Sequence, residues 1–425
     1  MLALSSMNLV LFVFQGFLTL LVGYQLLLTG AAYRAKHRTP NRPHDALHRF
    51  LILVPAHNEE RLLPGLLQNL RQLDYPTSHY EVHVVADNCT DGTAAVAREA
   101  GVRVHERTNE VERGKGYALQ WLVQRLAGEL HDAVVILDAD TVISPGFLQI
   151  MNARLEQGER VIQAYYAVRD PGRSRSAGLR YAALTVLHYL RPQGRMVLGG
   201  SAGLKGNGMV FSADVMKRHV WPASVTEDIE LHMDLLLDGE RVTFAPDAIV
   251  WAEMPDTLAG SQSQNDRWEQ GRIQMARAYV PRLLRRAWTE RGNGRAFLLF
   301  DAAMEHIIPP FSVLMALSGL GFLFSLLLTA AQAAGFKKRV GERPPVKERS
   351  ILDYLPRVNL LVAIFIIFGQ VFYLVAGLRL ARAPRNVYLA LLYAPGYVVW
   401  KTVQYGRVLL GKKDKEWVRT ARNLN

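Results

Sequence analysis

The stretch Ala133-Val-Val-Ile-Leu-Asp138-Ala-Asp140-Thr decides the fold of this chain. Five apolar residues, three of them β-branched, end abruptly in two carboxylates. The apolar run predicts a buried strand, and the two acids at its end are typical of a site for a hard divalent cation. The alternative for Asp138 and Asp140 is a solvated turn that follows a strand.

The pattern around this stretch alternates between short apolar runs and amphipathic stretches from about residue 48 to residue 247. The alternation predicts a mostly parallel sheet with helices on both faces. Ligands of such sheets bind beyond the carboxyl ends of the strands, where Pro55, Asp87 and Asp138 fall. Strands are predicted at 50–54, 80–85, 102–105 and 133–137, and helices at 59–73, 93–100 and 116–126.

Composition limits the class of protein. The 425 residues are half hydrophobic and carry a net charge of +12. A single cysteine, Cys89, excludes an internal disulfide and a cysteine-based zinc site and favours a reducing compartment. Basic residues cluster beside hydrophobic segments, which favours a membrane surface over nucleic acid. The clusters are Arg34, Lys36, Arg38 and Arg42; Lys337, Lys338 and Arg339; and Lys412, Lys413 and Lys415.

Three uncharged segments are long enough to cross a bilayer. Residues 9–28 form about 30 Å of helix, and residues 307–335 and 358–378 are also free of charge. The first is predicted to be an anchor rather than a cleaved signal peptide, because its basic cluster follows the apolar run. The positive-inside rule then places the N-terminus outside and the next domain in the cytoplasm.

Two details of the C-terminal half stay open. Pro309 and Pro310 predict either a kink or a late helix start. The apolar stretch 387–399 is too short to span and is expected to lie in the interface or to pack against the other helices. Five regions follow: a transmembrane helix at 1–33, an α/β domain at 48–275, amphipathic interfacial helices at 276–303, transmembrane and interface helices at 304–411, and a basic tail at 412–425.

Four motifs resemble glycosyltransferase family 2 in their order and spacing. They are Asp87 in Val-Val-Ala-Asp-Asn-Cys-Thr-Asp-Gly, Asp138 with Asp140, Thr226-Glu227-Asp228, and Gln264-Asn-Asp-Arg267-Trp268. The resemblance is greatest to the membrane-embedded branch that contains cellulose, hyaluronan, chitin and poly-N-acetylglucosamine synthases. It implies a GT-A fold, a Rossmann-like α/β fold of nucleotide-diphospho-sugar transferases, for a cytoplasmic domain inserted between transmembrane helices.

The resemblance also implies a donor site for a UDP-sugar. Most members of the family have a second acid after Asp87, where Asn88 stands here, so uridine recognition is left open. Asp140 is the implied ligand of Mg²⁺ or Mn²⁺. The implied donor-binding residues are Pro55, Glu59, Asp87, Lys115, Asp138 and Arg267.

Catalytic and acceptor roles follow in the same way. Asp228, with Glu227 beside it, matches the family's catalytic base, and Gln264 and Trp268 match acceptor-binding positions. Gly206 and Asn207 lie in the glycine-rich stretch that borders the acceptor in the family. Purely structural alternatives are helix capping by Asn58, Asp91 and Thr226 and a Trp268 packed at the membrane interface.

The sequence therefore predicts an inverting, metal-dependent glycosyltransferase of the bacterial inner membrane. Its predicted partners are a UDP-sugar, a glycan or lipid acceptor and membrane lipids, with no nucleic acid; a homo-oligomer or an export partner stays open. Transfer to a growing exopolysaccharide is the first hypothesis. The alternatives are a non-processive enzyme that acts on a lipid and, in another class, a non-catalytic membrane scaffold.

Overall fold

The protein is described by a computed structural model over residues 2–35, 46–224, 226–253, 262–292, 294–338 and 353–411. Within these ranges an eight-stranded mixed sheet lies between helices, and long apolar helices flank it in sequence. The basic residues predicted at 36–42 and the tail at 412–425 lie outside the described residues.

The sheet has the strand order β3-β2-β1-β4-β7-β6-β8-β5. Strands β1, β2, β3 and β4 are parallel, as are β6 and β8, whereas β7 and β5 run antiparallel to their neighbours. The prediction of a mostly parallel sheet is therefore correct for the first four strands. In the second half of the sheet, parallel and antiparallel pairs are mixed. The strands are β1 (Phe50–Ala56), β2 (Tyr80–Asp87), β3 (Arg103–Arg107), β4 (Ala133–Ile136), β5 (Thr141–Ile143), β6 (Val161–Val168), β7 (Met209–Ser212) and β8 (Val242–Ala252).

Helices cover both faces of the sheet. Alternate residues of β1 show why: Ile52 packs into one hydrophobic cluster with helices α2, α3 and α5, and Leu53 packs into another with α4, α8 and α9. This is the period-two pattern of a strand that is buried on both sides. The helices are α2 (Leu63–Leu70), α3 (Thr93–Glu99), α4 (Lys115–Arg125), α5 (Phe147–Glu156), α8 (Ala213–Arg218) and α9 (Glu227–Asp238).

The first predicted helix begins later than expected. It was predicted from residue 59, but α2 starts at Leu63. Asn58 does not cap it, because this residue adopts φ +56° and its Oδ1 accepts a hydrogen bond from the backbone N of Thr90, 2.7 Å away. The alternative role of Asn58 as a helix cap is therefore wrong.

Three helices of the described chain are long and apolar enough to cross a membrane: α1 (Leu2–Ala32), α12 (Phe311–Lys338) and α13 (Leu355–Leu380). Buried amide side chains join them in pairs. Gln15 of α1 bonds to Ser325 of α12 at 2.8 Å, and Gln370 of α13 bonds to Ser318 of α12 at 2.7 Å. Asn359 of α13 donates to the backbone O of Asn8 in α1 at 3.0 Å.

The α/β domain is docked against these helices through α6 (Arg175–Thr185), a π-helical turn (Val186–Leu190) and α7 (Arg191–Leu198). A Cβ placed on Gly194 of α7 would lie 2.2 Å from the carbonyl oxygen of Leu28 in α1, so the two backbones touch. Arg191 donates to the Tyr373 hydroxyl of α13 at 3.0 Å. The sheet and the apolar helices therefore share a packed junction.

The remaining helices are α10 (Gln262–Thr289), α11 (Ala296–Ile307), α14 (Arg385–Ala390) and α15 (Ala394–Leu409). Helix α10 runs continuously across the domain boundary predicted at 275/276. Helix α11 ends before Pro309 and α12 begins after Pro310, so the late start is correct and the kink is not. The 387–399 stretch folds into α14, a short 3₁₀ turn and α15, which packs against α10 and α12.

Candidate active site

Lys115 lies at the centre of the candidate site. It is the first residue of α4, after Gly114 with φ +122°. Its Nζ donates to Asp138 Oδ1 at 2.5 Å and to the carbonyl oxygen of Gly206. Burial acts to lower the pKa of Lys115, but the carboxylates of Asp138 and Glu227 outweigh it and hold the pKa above its ordinary value.

Asp138 and Asp140 occupy the turn between β4 and β5. The backbone N of Asp138 donates to Asn207 Oδ1 at 3.2 Å, and its carbonyl accepts the Thr141 hydroxyl at 2.7 Å. Both acids are half-buried. The turn is therefore fixed from two sides, while both carboxylates stay at the end of the sheet.

The glycine-rich loop before β7 supplies the opposite wall. Buried Gln163 of β6 holds it in two places: its Nε2 donates to the carbonyl of Asn207 at 2.8 Å and its Oε1 accepts from the backbone N of Lys205 at 2.9 Å. Lys205 Nζ lies 3.0 Å from Glu305 Oε1 of α11. The loop is thus anchored to the sheet on one side and to α11 on the other.

Asp228 faces this loop from the first turn of α9. A Cβ on Gly206 would lie 3.3 Å from Asp228 Oδ2 and 4.0 Å from Lys115 Nζ. Gly206 also has φ +77°, so both the backbone and the available space favour glycine. Thr226 occupies the N-cap position of α9, but its hydroxyl makes no capping bond within the described residues.

Burial controls the protonation of both acids in this first turn. It raises the pKa of Asp228, against the opposing effect of the Lys115 ammonium. It also raises the pKa of Glu227 to about 8, with a further contribution from the negative charge of Asp228. A carboxyl pair of this kind binds protons more readily than exposed acids do.

The start of α10 lies across the first turn of α9. A Cβ on Gly271 would come within 2.1 Å of Thr226 Cγ2, so the two helices are in direct contact there. Burial lowers the pKa of Arg267, and the negative charge of Glu227 opposes this effect. Gln264 and Trp268 are half-buried and share a face of the helix.

Asp87, unlike the acids near Lys115, is paired with an arginine. Its Oδ1 accepts a 2.7 Å hydrogen bond from Arg107, and both side chains are buried. On the neighbouring strand β1, Pro55 is paired with Val85. The backbone N of Glu59 donates to the Thr93 hydroxyl at 2.8 Å. These residues line the carboxyl ends of β1 and β2, next to the group formed by Lys115, Asp138, Gly206, Asn207 and Asp228.

Other contacts in this region are structural. Asp91 Oδ1 accepts from the backbone N of Thr93 at 3.0 Å, so Asp91 does stabilise the start of α3. A Cβ on Gly116 would lie 2.1 Å from the carbonyl oxygen of Pro222, so this glycine serves close packing. Four further residues of this region were not predicted from the sequence: Arg107, Gln163, Lys205 and Glu305. For Gln163, a polar residue inside the apolar strand β6 was the available signal.

The donor atoms at the turn fit the implied metal. Asp138 and Asp140 offer hard carboxylate oxygens two residues apart, the ligand type preferred by Mg²⁺ and Mn²⁺. Lys115 donates to Oδ1 of Asp138 and neutralises one of its two oxygens.

The model of the family described as glycosyltransferase-like family 2 matches residues 48–271, more than half of the chain. The chain belongs to this family. Its mixed α/β domain has the GT-A fold, and the family and fold class predicted from the four motifs are confirmed.

The names of the curated relatives indicate different acceptors. A beta-monoglucosyldiacylglycerol synthase of a Nostoc species is 28% identical over 63% of this chain and 58% of its own length. A poly-beta-1,6-N-acetyl-D-glucosamine synthase of Staphylococcus aureus is 25% identical over 55% of this chain and 57% of its own length. The chain thus spans less than two thirds of these relatives.

Solved structures with a similar fold include a mannosyltransferase from Pyrobaculum calidifontis in complex with GDP-Man and Mn²⁺. It is 18% identical, has a TM-score of 0.48 and covers 90% of this chain and 99% of its own. The glucosyl-3-phosphoglycerate synthase of Mycobacterium tuberculosis, in complex with Mn²⁺, UDP and phosphoglyceric acid, is 21% identical with a TM-score of 0.37 and covers 51% of this chain and 78% of its own.

Proposed function

We propose that this protein is an inverting, metal-dependent hexosyltransferase that moves a sugar from a UDP-sugar to an acceptor at the cytoplasmic face of the inner membrane. One observation carries the proposal: the half-buried carboxylate of Asp228 faces Gly206, beside the Lys115–Asp138 pair. A potential base, a cation and a pair of metal-type acids therefore border one space.

The donor would bind at the carboxyl ends of β1, β2 and β4. Pro55, Glu59 and Asp87 border the nucleotide, and the buried Arg107 holds the Asp87 carboxylate in a fixed direction. Lys115 and Arg267 supply positive charge for diphosphate oxygens. Asp138 and Asp140 would hold Mg²⁺ or Mn²⁺, which neutralises the negative charge of the diphosphate when it is bound.

Asp228 performs the proton transfer in this proposal. The acceptor hydroxyl oxygen attacks the anomeric carbon, the bond from that carbon to the diphosphate oxygen breaks, and the hydroxyl proton passes to Asp228. Attack opposite the leaving UDP inverts the anomeric configuration, so an α-linked donor yields a β-linked product. Glu227, adjacent to the base, sets the charge around it, and its negative charge also acts on Arg267.

The acceptor would reach the site between the glycine-rich loop and α10. Gly206 and Asn207 form one wall and Gln264 and Trp268 the other. Transfer to a growing glycan agrees with the Gln-x-x-Arg-Trp motif at the start of α10. The second candidate is a single transfer to a lipid, which is supported by the docking of the domain on α1 and by relatives named glucosyldiacylglycerol synthases.

The catalytic test is Asp228→Asn in the full chain, purified in lipid. We expect kcat for UDP release to fall by about 10²–10⁴, because the proton acceptor is lost, while binding of UDP is retained. Asp238→Asn is the matched control, since Asp238 is an exposed acid at the other end of α9. Transfer at the wild-type rate by Asp228→Asn would remove Asp228 as the base.

The acceptor test uses mass analysis of the product made from a panel of UDP-sugars with Mg²⁺ or Mn²⁺. A ladder of added sugars supports the glycan polymerase, and one sugar on a lipid supports the second candidate. Absence of turnover with every donor and acceptor would contradict both and favour the scaffold.

A further inference from the structure

A second group of potential metal ligands lies at the other end of the sheet. Glu81 and His83 stand near the start of β2, whereas Asp87 of the candidate active site ends this strand. Glu129 lies in the loop between α4 and β4. The potential ligand atoms of these three side chains lie within 4.8 Å of one another. The group is therefore separate from Asp138 and Asp140.

The distances within the group are too long for hydrogen bonds. His83 Nε2 lies 3.5 Å from Glu81 Oε2 and 3.7 Å from Glu129 Oε2. This nitrogen is fully buried and has no hydrogen-bond partner among the described residues. Hydrogen bonds from nitrogen to oxygen are about 2.7–3.2 Å long, whereas two ligands about 2.1 Å from a tetrahedral ion lie about 3.4 Å apart.

The other ring nitrogen of His83 is already held in place. Its Nδ1 lies 3.1 Å from Nε2 of His105, and the two rings stack with centroids 5.4 Å apart. A histidine that binds a metal usually has its second nitrogen oriented by such a contact. With a proton on Nδ1, the lone pair of Nε2 points toward the two carboxylates, and a cation between them would relieve that repulsion.

A cleft gives access to the two carboxylates. Its volume is about 380 Å³, and Glu81 and Glu129 are part of its lining together with Arg103. Arg103 Nε lies 3.1 Å from Glu81 Oε2, and its Nη1 lies 3.3 Å from Glu129 Oε1. The side chain is 58% exposed, so it neutralises the acids from the solvent side and is free to turn outward when an ion binds.

We propose that Glu81, His83 and Glu129 bind one divalent ion of the Zn²⁺ type, with water from the cleft as a fourth ligand. One imidazole and two carboxylates suit zinc better than Mg²⁺, which prefers oxygen ligands alone. The ion would tie the loop after α4 to strand β2. Because α4 begins with Lys115, this site stabilises the helix whose other end reaches the candidate active site.

The test is Zn²⁺ binding by the full chain in lipid, measured by calorimetry in excess Mg²⁺ so that all-oxygen sites are occupied. We expect Glu129→Gln to lose one equivalent of Zn²⁺ relative to wild type. Glu156→Gln is the matched control: Glu156 is 33% exposed against 30% for Glu129, and it lies 2.9 Å from His48 Nε2, closer than two ligands of one tetrahedral ion.

A second variant tests the orientation of the ring. His105→Phe keeps the stacked ring but removes Nε2, and we expect it to weaken Zn²⁺ binding by about 10–100-fold. Three results would overturn the proposal: no Zn²⁺ bound by wild type, an unchanged stoichiometry in Glu129→Gln, or the same loss in Glu156→Gln.

Discussion

Lys115 joins three parts of the chain that are far apart in sequence. Its ammonium bonds to Asp138, 23 residues on, and to the carbonyl of Gly206, 91 residues on. Asp228 lies against the same glycine. Because the lysine neutralises acids that burial would otherwise leave uncompensated, it allows a carboxylate cluster to exist inside the domain.

The pH dependence of activity follows from the environment of Asp228. Burial raises its pKa, and only the ionised form accepts a proton, so activity rises as the pH passes upward through that raised pKa. We expect the acidic limb of kcat/KM against pH to lie above the ordinary aspartate pKa of about 3.9. Asp238→Asn should leave the profile unchanged, and a limb at the ordinary value would contradict the burial of the base.

Gly116 offers a test of close packing beside Lys115. Gly116→Ala places a Cβ 2.1 Å from the backbone oxygen of Pro222, which cannot rotate away as a side chain can. We expect a loss of about 1–3 kcal/mol in the free energy of unfolding, measured by denaturation of the purified protein. Gly128→Ala is the control, because its Cβ would meet no atom within 4 Å; equal stability of the two variants would refute the argument.

At the scale of elements, α15 holds the start of α10. Lys401 of α15 lies 3.1 Å from Glu269 of α10, and both side chains are buried. Gln404 also donates to the carbonyl oxygen of Gln262 at 3.1 Å. The second half of α15, which follows the stretch that was too short to span, therefore supports the helix that carries Gln264, Arg267 and Trp268.

Breaking this ion pair should affect both stability and donor binding. Lys401→Met leaves the Glu269 charge buried alone, which costs about 3–5 kcal/mol when one partner of such a pair is removed. We expect a lower melting temperature and a higher KM for the donor. Replacing both residues by Met should restore most of the stability, and Arg407→Met, at an exposed position of α15, should change little. A stable, fully active Lys401→Met would contradict the role of α15.

At the scale of the whole molecule, the domain and the apolar helices form one packed unit. The guanidinium of Arg195 in α7 lies 2.7 Å from Asp301 of α11 and also contacts Glu305, and the Tyr24 hydroxyl of α1 contacts Asp301. A buried charged group of this kind is tolerated because each member has a partner. These contacts therefore fix the position of the candidate site relative to the apolar helices.

The orientation in the membrane is open to direct test. The basic residues after α1 predict a cytoplasmic domain and an outside N-terminus. In a Cys89→Ser chain, a cysteine at exposed Glu99 should react with a membrane-impermeant maleimide only after cell lysis. A cysteine at Ser5 should react in intact cells. The opposite pattern would reverse the proposed topology.

The sequence by itself determined most of the local secondary structure and the types of side chain available at the candidate site. Alternating apolar runs predicted the first four strands to within a few residues, because a side-chain period of two is a local property. Long uncharged stretches predicted α1, α12 and α13, because a helix must be apolar over its full length to cross a bilayer. The Asp-x-Asp pair and the Gln-x-x-Arg-Trp motif were visible in the same way.

Only the tertiary structure decided which of these groups meet. The bridge from Lys115 to Asp138 and Gly206, the pairing of Asp87 with Arg107, and the support of α10 by α15 all join segments distant along the chain. No local period encodes such contacts, because they depend on strand order and on how helices cross. Strands β5 to β8 were not predicted. The antiparallel direction of β5 and β7 is a tertiary property as well, because strand direction is set by the path of the chain between strands and not by the residues within them.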